Sequence, residues 1–568
     1  MEKTGKILAI YLLIISFAAI FVIAAARATG DSHQSRVYTK HEAVPAFRGS
    51  IITADWRVLS QSERRFNLAF DGKDAANKTL IAKLLAIFLQ KSEAELLEAL
   101  SRETRVILAR GLNVGEAKAL KNLSLELDRR GAFKTHQING NTVRHGLDVL
   151  SENPHTRLYE YGDLAQPILG YTGKADGEAK MGVEKFYDSK LRAAKDGLFK
   201  APRDALGNLI YNNQMRYEAV QNGFSLQLTI DSFLQKELER LVDKAQKDID
   251  ASEIICAIME SGSGKLLAIA TSARYDAENI TNDSVANTRI NAVQYPFEPG
   301  SVMKPFIVAL LLDDNQIGQY DLVRGYNGKM SIGRETITDL TPREWFSVED
   351  VIVYSSNIGA AQLAMQLSPY KLFDGLSAFG FAKSTGIDLP YESTGDLPGL
   401  HRYRTDIYRA TTGYGYGLRA TFMQLMKAYN VFNNGGVMVA PRLAKRLIGE
   451  SGGQDGKDIT KPPEQTRVIS EATALKLMQI MRKTAMRGQV AVVDDIFTAG
   501  KTGTAHIARA GIYLADYHNS FFGFANRGDK KYTIGVFVID PKKSHFANQT
   551  AAPVFVSAIN LLKKHDKL

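Results

Sequence analysis

The segment Phe297-Glu298-Pro299-Gly300-Ser301-Val302-Met303-Lys304 carries the strongest structural signal in the sequence. Its Pro-Gly step interrupts regular structure, and the apolar run 306–312 that follows predicts a buried helix. Ser301 therefore lies where that helix starts, and Lys304 lies one turn further along on the same side. Because free backbone N–H groups at a helix start favour negative charge, the segment predicts an activated hydroxyl group.

A lysine beside a serine suggests a nucleophile and its base. An alcohol attacks efficiently only when something removes its proton, and an uncharged amine can do so. Free lysine has a pKa near 10.4, so only about 1 in 2,500 is uncharged at pH 7. Burial and a neighbouring cation together can lower the pKa far enough. We therefore predict Ser301 as the nucleophile, Lys304 as its base, and a second cation folded next to Lys304.

Two further motifs supply candidate partners. In Ser355-Ser356-Asn357, the hydroxyl of Ser355 and the amide of Asn357 are predicted to relay a proton and to hold a substrate amide. An Asx or Ser turn without a catalytic role is the alternative for this motif. The second cation is predicted to be Lys501, in Lys501-Thr502-Gly503-Thr504.

The same motif is predicted to bind substrate. Lys501 and Thr502 are expected to hold a substrate carboxylate, and Gly503 to let the substrate approach the backbone. A strand here would direct the N–H of Thr504, together with that of Ser301, towards a developing oxyanion.

The sequence gives little support for a metal site, a cofactor site or nucleic-acid binding. The sequence has no CxxC pair and no HExxH among its 10 histidines, so we expect no metal site and no cofactor. Gly500-Lys501-Thr502 resembles the end of a phosphate-binding loop, but Asp495 stands where that loop requires its first glycine. The net charge of +10 comes from scattered basic residues, which favours a solvated surface over nucleic-acid binding.

The segments around the motifs predict a mixed α+β fold. Apolar runs at 254–260 and 266–270 predict a hairpin, and runs at 521–525 and 532–539 predict a second strand pair. A helix is predicted over 553–564. Strands near both ends of this region, with helices between them, indicate one sheet that distant segments assemble and helices cover.

The N-terminal region predicts a membrane anchor. Residues 7–26 are apolar except for one serine, which is long enough to span a bilayer as a helix. A cleaved signal peptide is the alternative, but its apolar region is normally only about 7–15 residues long. Lys3 and Lys6 predict that residues 1–6 form a cytoplasmic tail and that the remaining chain lies outside the membrane. Further on, the spacing of apolar residues predicts helical structure over 78–100.

Taken together, the three motifs resemble the SxxK, SxN and KTG signature of penicillin-binding proteins and class A β-lactamases. Arg48-Gly49-Ser50-Ile51, Gly182-Val183-Glu184-Lys185 and Gly413-Tyr414-Gly415 are similar to further segments of class B penicillin-binding proteins. One segment, Thr53-Ala54-Asp55-Trp56, departs from the Asp-Arg-Asn-Gly that is usual in the family.

The resemblance implies a fold and an activity. It implies an elongated non-catalytic pedestal domain over 27–222 and a serine β-lactamase-like transpeptidase domain over 223–568, with a central antiparallel sheet flanked by helices. The implied activity is a dd-transpeptidase that attacks a D-Ala-D-Ala peptide with Ser301, releases D-Ala and passes the acyl group to an amine. β-Lactams are then expected to acylate the same serine.

The resemblance also implies a setting in the cell. The expected location is the bacterial cytoplasmic membrane, and the expected partners are a membrane glycosyltransferase and division proteins. Overall length and motif context favour the septal, FtsI-like type, and an elongation-type enzyme is the alternative. A penicillin-binding scaffold or sensor without turnover, or an enzyme that passes the acyl group to water, is a further alternative.

Overall fold

The computed structural model describes residues 13–25, 39–102, 104–138, 141–151, 156–174, 176–202, 215–449, 465–509 and 512–568. Internal contacts divide the chain into two units. One unit comprises Met1–Ala46 and Ala193–Asn222, and the other comprises Phe47–Arg192 and Gly223–Leu568.

The smaller unit is built on a three-stranded antiparallel sheet. Gly197–Pro202 lies between Thr39–Val44 and Arg216–Glu218. Residues 13–25 are helical with exposed side chains, and no helix in the described part of the chain is long and apolar enough to span a membrane. The predicted anchor at 7–26 extends beyond the described residues at both ends, and Lys3 and Lys6 lie outside them.

A mixed sheet of the larger unit brings together segments that are far apart in the sequence. Its strand order is Ala444–Ile448, Ser225–Leu228, Ile51–Ile52, Val58–Ser62 and Arg157–Tyr159. The second and third strands pair in parallel with each other, and the other neighbouring strands pair antiparallel.

Three helices pack on a separate antiparallel sheet of the larger unit, around a core of leucines and phenylalanines. The strands are Arg105–Leu112, Phe66–Asp71 and Asp148–Ser151, and the helices are Lys78–Leu89, Glu93–Ser101 and Val114–Arg129. The helical structure predicted over 78–100 is present and is divided into two helices. Gln90 takes a left-handed conformation with φ +52°, and the Ser92 side chain then caps a new helix by accepting the N–H of Glu95.

The predicted central antiparallel sheet is confirmed. It has five strands in the order Leu266–Thr271, Glu253–Glu260, Lys530–Ile539, Ile512–Arg527 and Phe497–Arg509. Both predicted strand pairs are present, and the third of the predicted motifs lies on Phe497–Arg509, at one edge of the sheet.

Helical layers cover both faces of the central sheet. Alternate residues of Glu253–Glu260 face opposite layers: Cys256 contributes to one core and Ala257 to the other. Ser232–Ile249 and Ala551–Lys564 cover the first face. The second face carries three helices: Lys304–Asp313, Phe422–Asn433 and Glu471–Met486.

Shorter elements complete the larger unit. The helices are Gly182–Phe186, Asp188–Leu191, Asn291–Gln294, Val348–Val353, Asn357–Gln366, Pro369–Ala378 and Asp406–Gly413. The strand pairs are Thr135–Ile138 with Asn141–Arg144, Leu322–Arg324 with Trp345–Ser347, Lys329–Ile332 with Glu335–Thr338, and Val437–Met438 with Thr466–Arg467.

Candidate active site

Ser301 lies in a tight turn that leads directly into a buried helix. The 3-10 turn Gly300–Met303 precedes the helix Lys304–Asp313, which has proline in its first turn. Gly300 takes φ +63°, and a Cβ atom there would lie 3.1 Å from the carbonyl oxygen of Thr504. A glycine is needed at this position because the turn both adopts left-handed backbone and packs on the edge strand.

Four oxygen atoms surround the buried amine of Lys304. Its Nζ lies 2.9 Å from Ser301 Oγ and 3.1 Å from Ser355 Oγ. It also lies 2.6 Å from the carbonyl oxygen of Ser355 and 2.8 Å from Asn357 Oδ1. The structure thus brings together all four residues that we predicted to be catalytic.

The two kinds of oxygen suggest how an uncharged amine is oriented. The Ser355 carbonyl and the Asn357 amide oxygen can only accept hydrogen bonds. An uncharged amine has two N–H donors, and these two acceptors would use both of them. Its lone pair is then left for a hydroxyl proton, and Ser301 is the nearer of the two hydroxyl groups.

Burial and charge favour that uncharged state. Lys304 is completely buried, which lowers the pKa of its amine well below the usual value, and the neighbouring charge of Lys501 lowers the pKa further. The carboxylate of Asp339 acts in the opposite direction but does not reverse the shift. The second cation expected beside Lys304 is therefore present.

The Ser355-Ser356-Asn357 motif divides into two roles. Ser355 takes a left-handed backbone with φ +59°, and its Oγ lies between the Nζ atoms of Lys304, at 3.1 Å, and Lys501, at 3.0 Å. Ser356 caps the helix Asn357–Gln366 by accepting the N–H of Gly359 at 2.9 Å. The purely structural role that was the alternative for this motif therefore applies to Ser356, whereas the hydroxyl of Ser355 lies between both lysines.

Asp339 is a residue of the site that the sequence did not predict. Its Oδ1 accepts the N–H groups of Asn357 at 2.5 Å and Ile358 at 3.1 Å, and Ser356 Oγ donates to its Oδ2 at 2.5 Å. A carboxylate at a helix N-terminus is stabilised by these free N–H groups. Asp339 therefore fixes the loop that carries Ser355 and Asn357.

Lys501 is almost fully buried on the edge strand, with 1% of its surface exposed. Its Nζ donates to Ser355 Oγ at 3.0 Å and to the carbonyl oxygen of Thr502 at 3.1 Å. Burial, followed by the charge of Arg487, lowers the pKa of Lys501 to about 7. Lys501 therefore loses its charge near neutral pH.

Gly503 has a packing role in addition to the predicted one. A Cβ atom on it would lie 2.5 Å from Ser520 Oγ, 2.9 Å from a methyl group of Val302 and 3.0 Å from the carbonyl oxygen of Pro299. The absent side chain thus lets the edge strand approach the Ser301 turn closely. Substrate approach to Gly503 stays a prediction.

The remaining residues of the motif line the exposed side of the strand. Thr502 and Thr504 are half-buried, alternating with buried Lys501 and Gly503. Because Phe497–Arg509 is an edge strand, an extended peptide can pair with its backbone. The predicted oxyanion contact of the Thr504 N–H also stays a prediction.

The arrangement supports acyl transfer by a serine. It contains an alcohol nucleophile, a buried amine within hydrogen-bond distance, a second hydroxyl that bridges two amines, and a peptide-accepting edge. Over the described ranges, no three histidine, cysteine or acidic side chains form a cluster that could hold a metal ion.

Comparison with known families gives the same assignment. The family described as the penicillin binding protein transpeptidase domain matches residues 254–560, and the penicillin-binding protein dimerisation domain matches residues 43–228. The resemblance drawn from the three motifs is thus confirmed.

Individual relatives cover most of the chain. Penicillin-binding protein PbpB of Mycolicibacterium smegmatis is 28% identical, covering 100% of this chain and 90% of the relative. Stage V sporulation protein D of Bacillus subtilis is 27% identical, covering 89% of this chain and 76% of the relative. Peptidoglycan D,D-transpeptidase FtsI of Buchnera aphidicola is 26% identical, covering 74% of this chain and 72% of the relative.

Solved structures share the fold. Penicillin binding protein 2X of Streptococcus thermophilus has a TM-score of 0.73 at 18% identity, covering 93% of this chain and 81% of that one. Penicillin binding protein 3 of Mycobacterium tuberculosis, complexed with aztreonam, has a TM-score of 0.67 at 22% identity, with coverages of 92% and 97%.

With its dimerisation and transpeptidase domains, this chain belongs to the class B penicillin-binding proteins and is a serine D,D-transpeptidase of peptidoglycan synthesis.

Proposed function

We propose that this transpeptidase cross-links peptidoglycan stem peptides in septal wall synthesis, through an acyl-enzyme on Ser301. The observation that carries the chemistry is the buried amine of Lys304, 2.9 Å from Ser301 Oγ and with a strongly lowered pKa. Burial and the charge of Lys501 favour the uncharged form of this amine, which can take the proton of the hydroxyl group.

The reaction has two balanced steps. In the first, the Lys304 amine takes the Ser301 proton, Oγ bonds to the carbonyl carbon of the D-Ala-D-Ala peptide bond, and the C–N bond breaks. The proton passes, directly or through Ser355, to the nitrogen of the leaving D-Ala. In the second, the nitrogen of an amine on another strand bonds to the ester carbonyl carbon, the bond from that carbon to Ser301 Oγ breaks, and a proton of the amine passes to Ser301 Oγ.

The other motif residues hold the substrate in this scheme. Lys501 and Thr502 bind the terminal carboxylate of the donor peptide, and Asn357 holds a substrate amide. The backbone N–H groups of Ser301 and Thr504 stabilise the oxyanion.

Labelling with a fluorescent penicillin tests the enzymatic proposal against a scaffold without turnover. Wild-type protein should be labelled, and Ser301→Ala should remain unlabelled while keeping its circular dichroism spectrum and unfolding midpoint. A penicilloyl adduct on the folded Ser301→Ala variant, detected by intact mass, would assign the nucleophile elsewhere. Release of the adduct within minutes would favour transfer to water, as in a β-lactamase or carboxypeptidase.

Similarity to FtsI, at 26% identity, supports the septal role. An elongation-type enzyme is the alternative. Fluorescently tagged protein separates the two: we expect the signal at division sites, and depletion should give filaments. Signal along the lateral wall with rounded cells on depletion would indicate elongation.

A single-pass anchor fits this role. The apolar run 7–26 would span the cytoplasmic membrane, with residues 1–6 in the cytoplasm, the pedestal at 27–222 and the catalytic domain at 223–568 outside it. A membrane glycosyltransferase and division proteins are the proposed partners. Protease added to intact spheroplasts should digest a C-terminal tag and spare an N-terminal one; the reverse pattern would refute this orientation.

A further inference from the structure

Trp56 combines exposure with an unfavourable backbone conformation. It lies in the turn between the strands Ile51–Ile52 and Val58–Ser62, with φ +66° and 57% of its surface exposed. A bulky residue rarely takes this left-handed conformation. Such strain at an exposed ring suggests that the ring itself has a use.

Neighbouring segments hold the turn in place. The Asp55 carboxylate accepts the N–H of Ser232 at 3.0 Å and its hydroxyl at 2.6 Å. The Gln227 side-chain amide donates to the carbonyl oxygens of Thr53 at 3.3 Å and Ala54 at 3.2 Å. The backbone position of Trp56 is thus fixed before any ligand binds.

Arginine side chains accompany the exposed rings. The guanidinium of Arg446 lies 4.8 Å from the Trp56 ring centroid, and that of Arg57 lies 5.8 Å from the ring of Phe233, which is 56% exposed. Arg446 Nε donates to Gln227 Oε1 at 2.8 Å, and within the described part of the chain neither arginine forms an ion pair with a carboxylate. We call these four residues the Trp56 surface.

We propose that the Trp56 surface binds the carboxylate-bearing glycan strands of the polymer that the active site cross-links. An exposed indole offers a flat apolar face to the C–H groups of a sugar ring, and two guanidinium groups without a carboxylate partner complement the carboxylates of the stem peptides. Aromatic residues and arginine are also enriched in protein–protein interfaces, so a protein partner is the competing occupant that the test must exclude. The inference rests on the proposed function in one respect: the ligand is taken to be the polymer that the enzyme cross-links.

A second binding point on the same molecule has a kinetic consequence. A strand held at the Trp56 surface stays near the enzyme between reactions, so its stem peptides reach a higher effective concentration at Ser301. Small penicillins cannot bridge to this surface and should gain nothing from it.

The test measures binding of uncross-linked glycan strands that carry stem peptides. The protein is the full chain in detergent, with Ser301 first acylated by benzylpenicillin so that the active site is blocked. We expect Trp56→Gly to weaken binding by about tenfold, while its unfolding midpoint stays unchanged or rises because glycine accepts φ +66°. Arg446→Gln should weaken binding to a similar degree.

Tyr391→Gly is the matched control, because Tyr391 is also exposed, at 62%, with φ +59°. It should bind strands like the wild type. Unchanged binding by Trp56→Gly would overturn the proposal, and so would equal affinity for strands whose carboxylates are amidated. If wild-type protein binds no strands and a cross-linker at position 56 captures a protein instead, the surface is a protein interface and the proposal is wrong.

Acylation by benzylpenicillin separates this inference from the proposed function. Trp56→Gly should react at the wild-type rate, because the active site is untouched. Loss of acylation in the wild type would refute the proposed function, whereas loss confined to Trp56→Gly would contradict the independence of the two sites.

Discussion

Lys501 has a pKa of about 7, lowered by burial and then by the charge of Arg487. Below this pH its ammonium group can attract a substrate carboxylate and keep the Lys304 amine uncharged. Above it, both effects fade. The rate of acylation should therefore fall on the alkaline side, with a midpoint near pH 7.

Lys501→Arg tests this assignment, because arginine keeps its charge across the accessible pH range. We expect the second-order rate constant for acylation by benzylpenicillin to fall above about pH 7 in the wild type. In Lys501→Arg, the alkaline fall should disappear even if the larger side chain slows the reaction overall. An identical alkaline midpoint in both proteins would assign the titration to another group.

Asp339→Asn tests the positioning role of the aspartate. The amide cannot supply the negative charge that holds the helix start at Asn357, so the free energy of unfolding should fall by about 1–2 kcal/mol. Because the Asp339 carboxylate raises the pKa of Lys304, its removal should also move the acid-side midpoint of acylation to lower pH. Both effects are measured on one variant, by denaturant unfolding and by acylation rates.

A control carboxylate distinguishes this role from a general charge effect. Asp374→Asn removes an exposed charge from the helix Pro369–Ala378 and should change neither quantity. A midpoint for Asp339→Asn that stays at the wild-type pH would show that Asp339 is purely structural.

The site residues that could be predicted from the sequence are those that lie close together in the chain or within one of the three motifs. Ser301 and Lys304 are one helical turn apart, so their contact follows from helix geometry. Asp339 could not be predicted in this way: it contacts Asn357 and Ser356 from the position just after the strand Glu335–Thr338, and no spacing rule links these residues. The division of labour between Ser355 and Ser356 depends on φ +59° at Ser355, which the sequence does not reveal.

At the scale of the secondary-structure element, the fit between the edge strand and the Ser301 turn depends on Gly503. Gly503→Ala would place a methyl group 2.5 Å from Ser520 Oγ and 2.9 Å from Val302. We expect the free energy of unfolding to fall by about 1–3 kcal/mol, as in other overpacked sites, and acylation to slow because the turn must shift. Denaturant unfolding and acylation rates measure the two effects.

Gly262→Ala is the control, because nothing lies within 4 Å of a Cβ atom there. It should be close to wild type in both measurements. Adding Ser520→Ala to Gly503→Ala removes the closest contact and should restore part of the lost stability. A Gly503→Ala protein with unchanged stability and acylation would contradict the packing role.

Element boundaries show where sequence patterns stop being informative. Apolar spacing continues from Lys78 to Leu100, yet the first helix ends at Leu89. Gln90 takes a left-handed conformation there, and Ser92 caps a second helix that begins at Glu93. The strand segments at 254–260, 266–270, 521–525 and 532–539 could be predicted because most of their residues are buried on both faces of the sheet, which gives continuous apolar runs. The strand Ile512–Arg527 begins well before its apolar part, so its first half was missed.

Across the larger unit, a buried ion cluster joins segments that are distant in sequence. Glu184 is fully buried and accepts from Arg48 Nε at 2.7 Å, Arg157 Nε at 2.8 Å and Ser60 Oγ at 3.0 Å. Burial alone would raise the pKa of Glu184, but the charges of Arg157 and Arg48 outweigh it and lower the pKa. The carboxylate therefore stays ionised in the folded protein.

Glu184→Gln should leave the buried guanidinium of Arg157 without a counter-charge and that of Arg48 with Asp188 alone, and should cost about 3–5 kcal/mol in the free energy of unfolding. The lowered pKa means that the stabilisation is fully present above the unfolded-state pKa, near 4.3, and is lost as pH falls through the folded-state value. The difference between variant and wild type should therefore shrink at low pH. Urea unfolding at several pH values measures it.

Asp176→Asn is the control, because it breaks an exposed ion pair with Lys180 and should leave the unfolding midpoint unchanged. A Glu184→Gln midpoint that matches wild type at neutral pH would contradict the account. The Glu184 segment was one of those that resemble the family, but only the fold shows that Arg48 and Arg157 both bind the Glu184 carboxylate. Long-range ion pairs of this kind are not encoded in local spacing.

The most direct test of the account measures the rate of Ser301 acylation by benzylpenicillin from pH 5 to 10, with the adduct located by peptide mapping. A buried, uncharged Lys304 amine predicts an adduct on Ser301 and an acid-side midpoint well below the pKa of an ordinary lysine, with substantial reaction already near neutral pH. A rate that keeps rising to about pH 10, as an ordinary lysine would give, or an adduct on another residue, would contradict it.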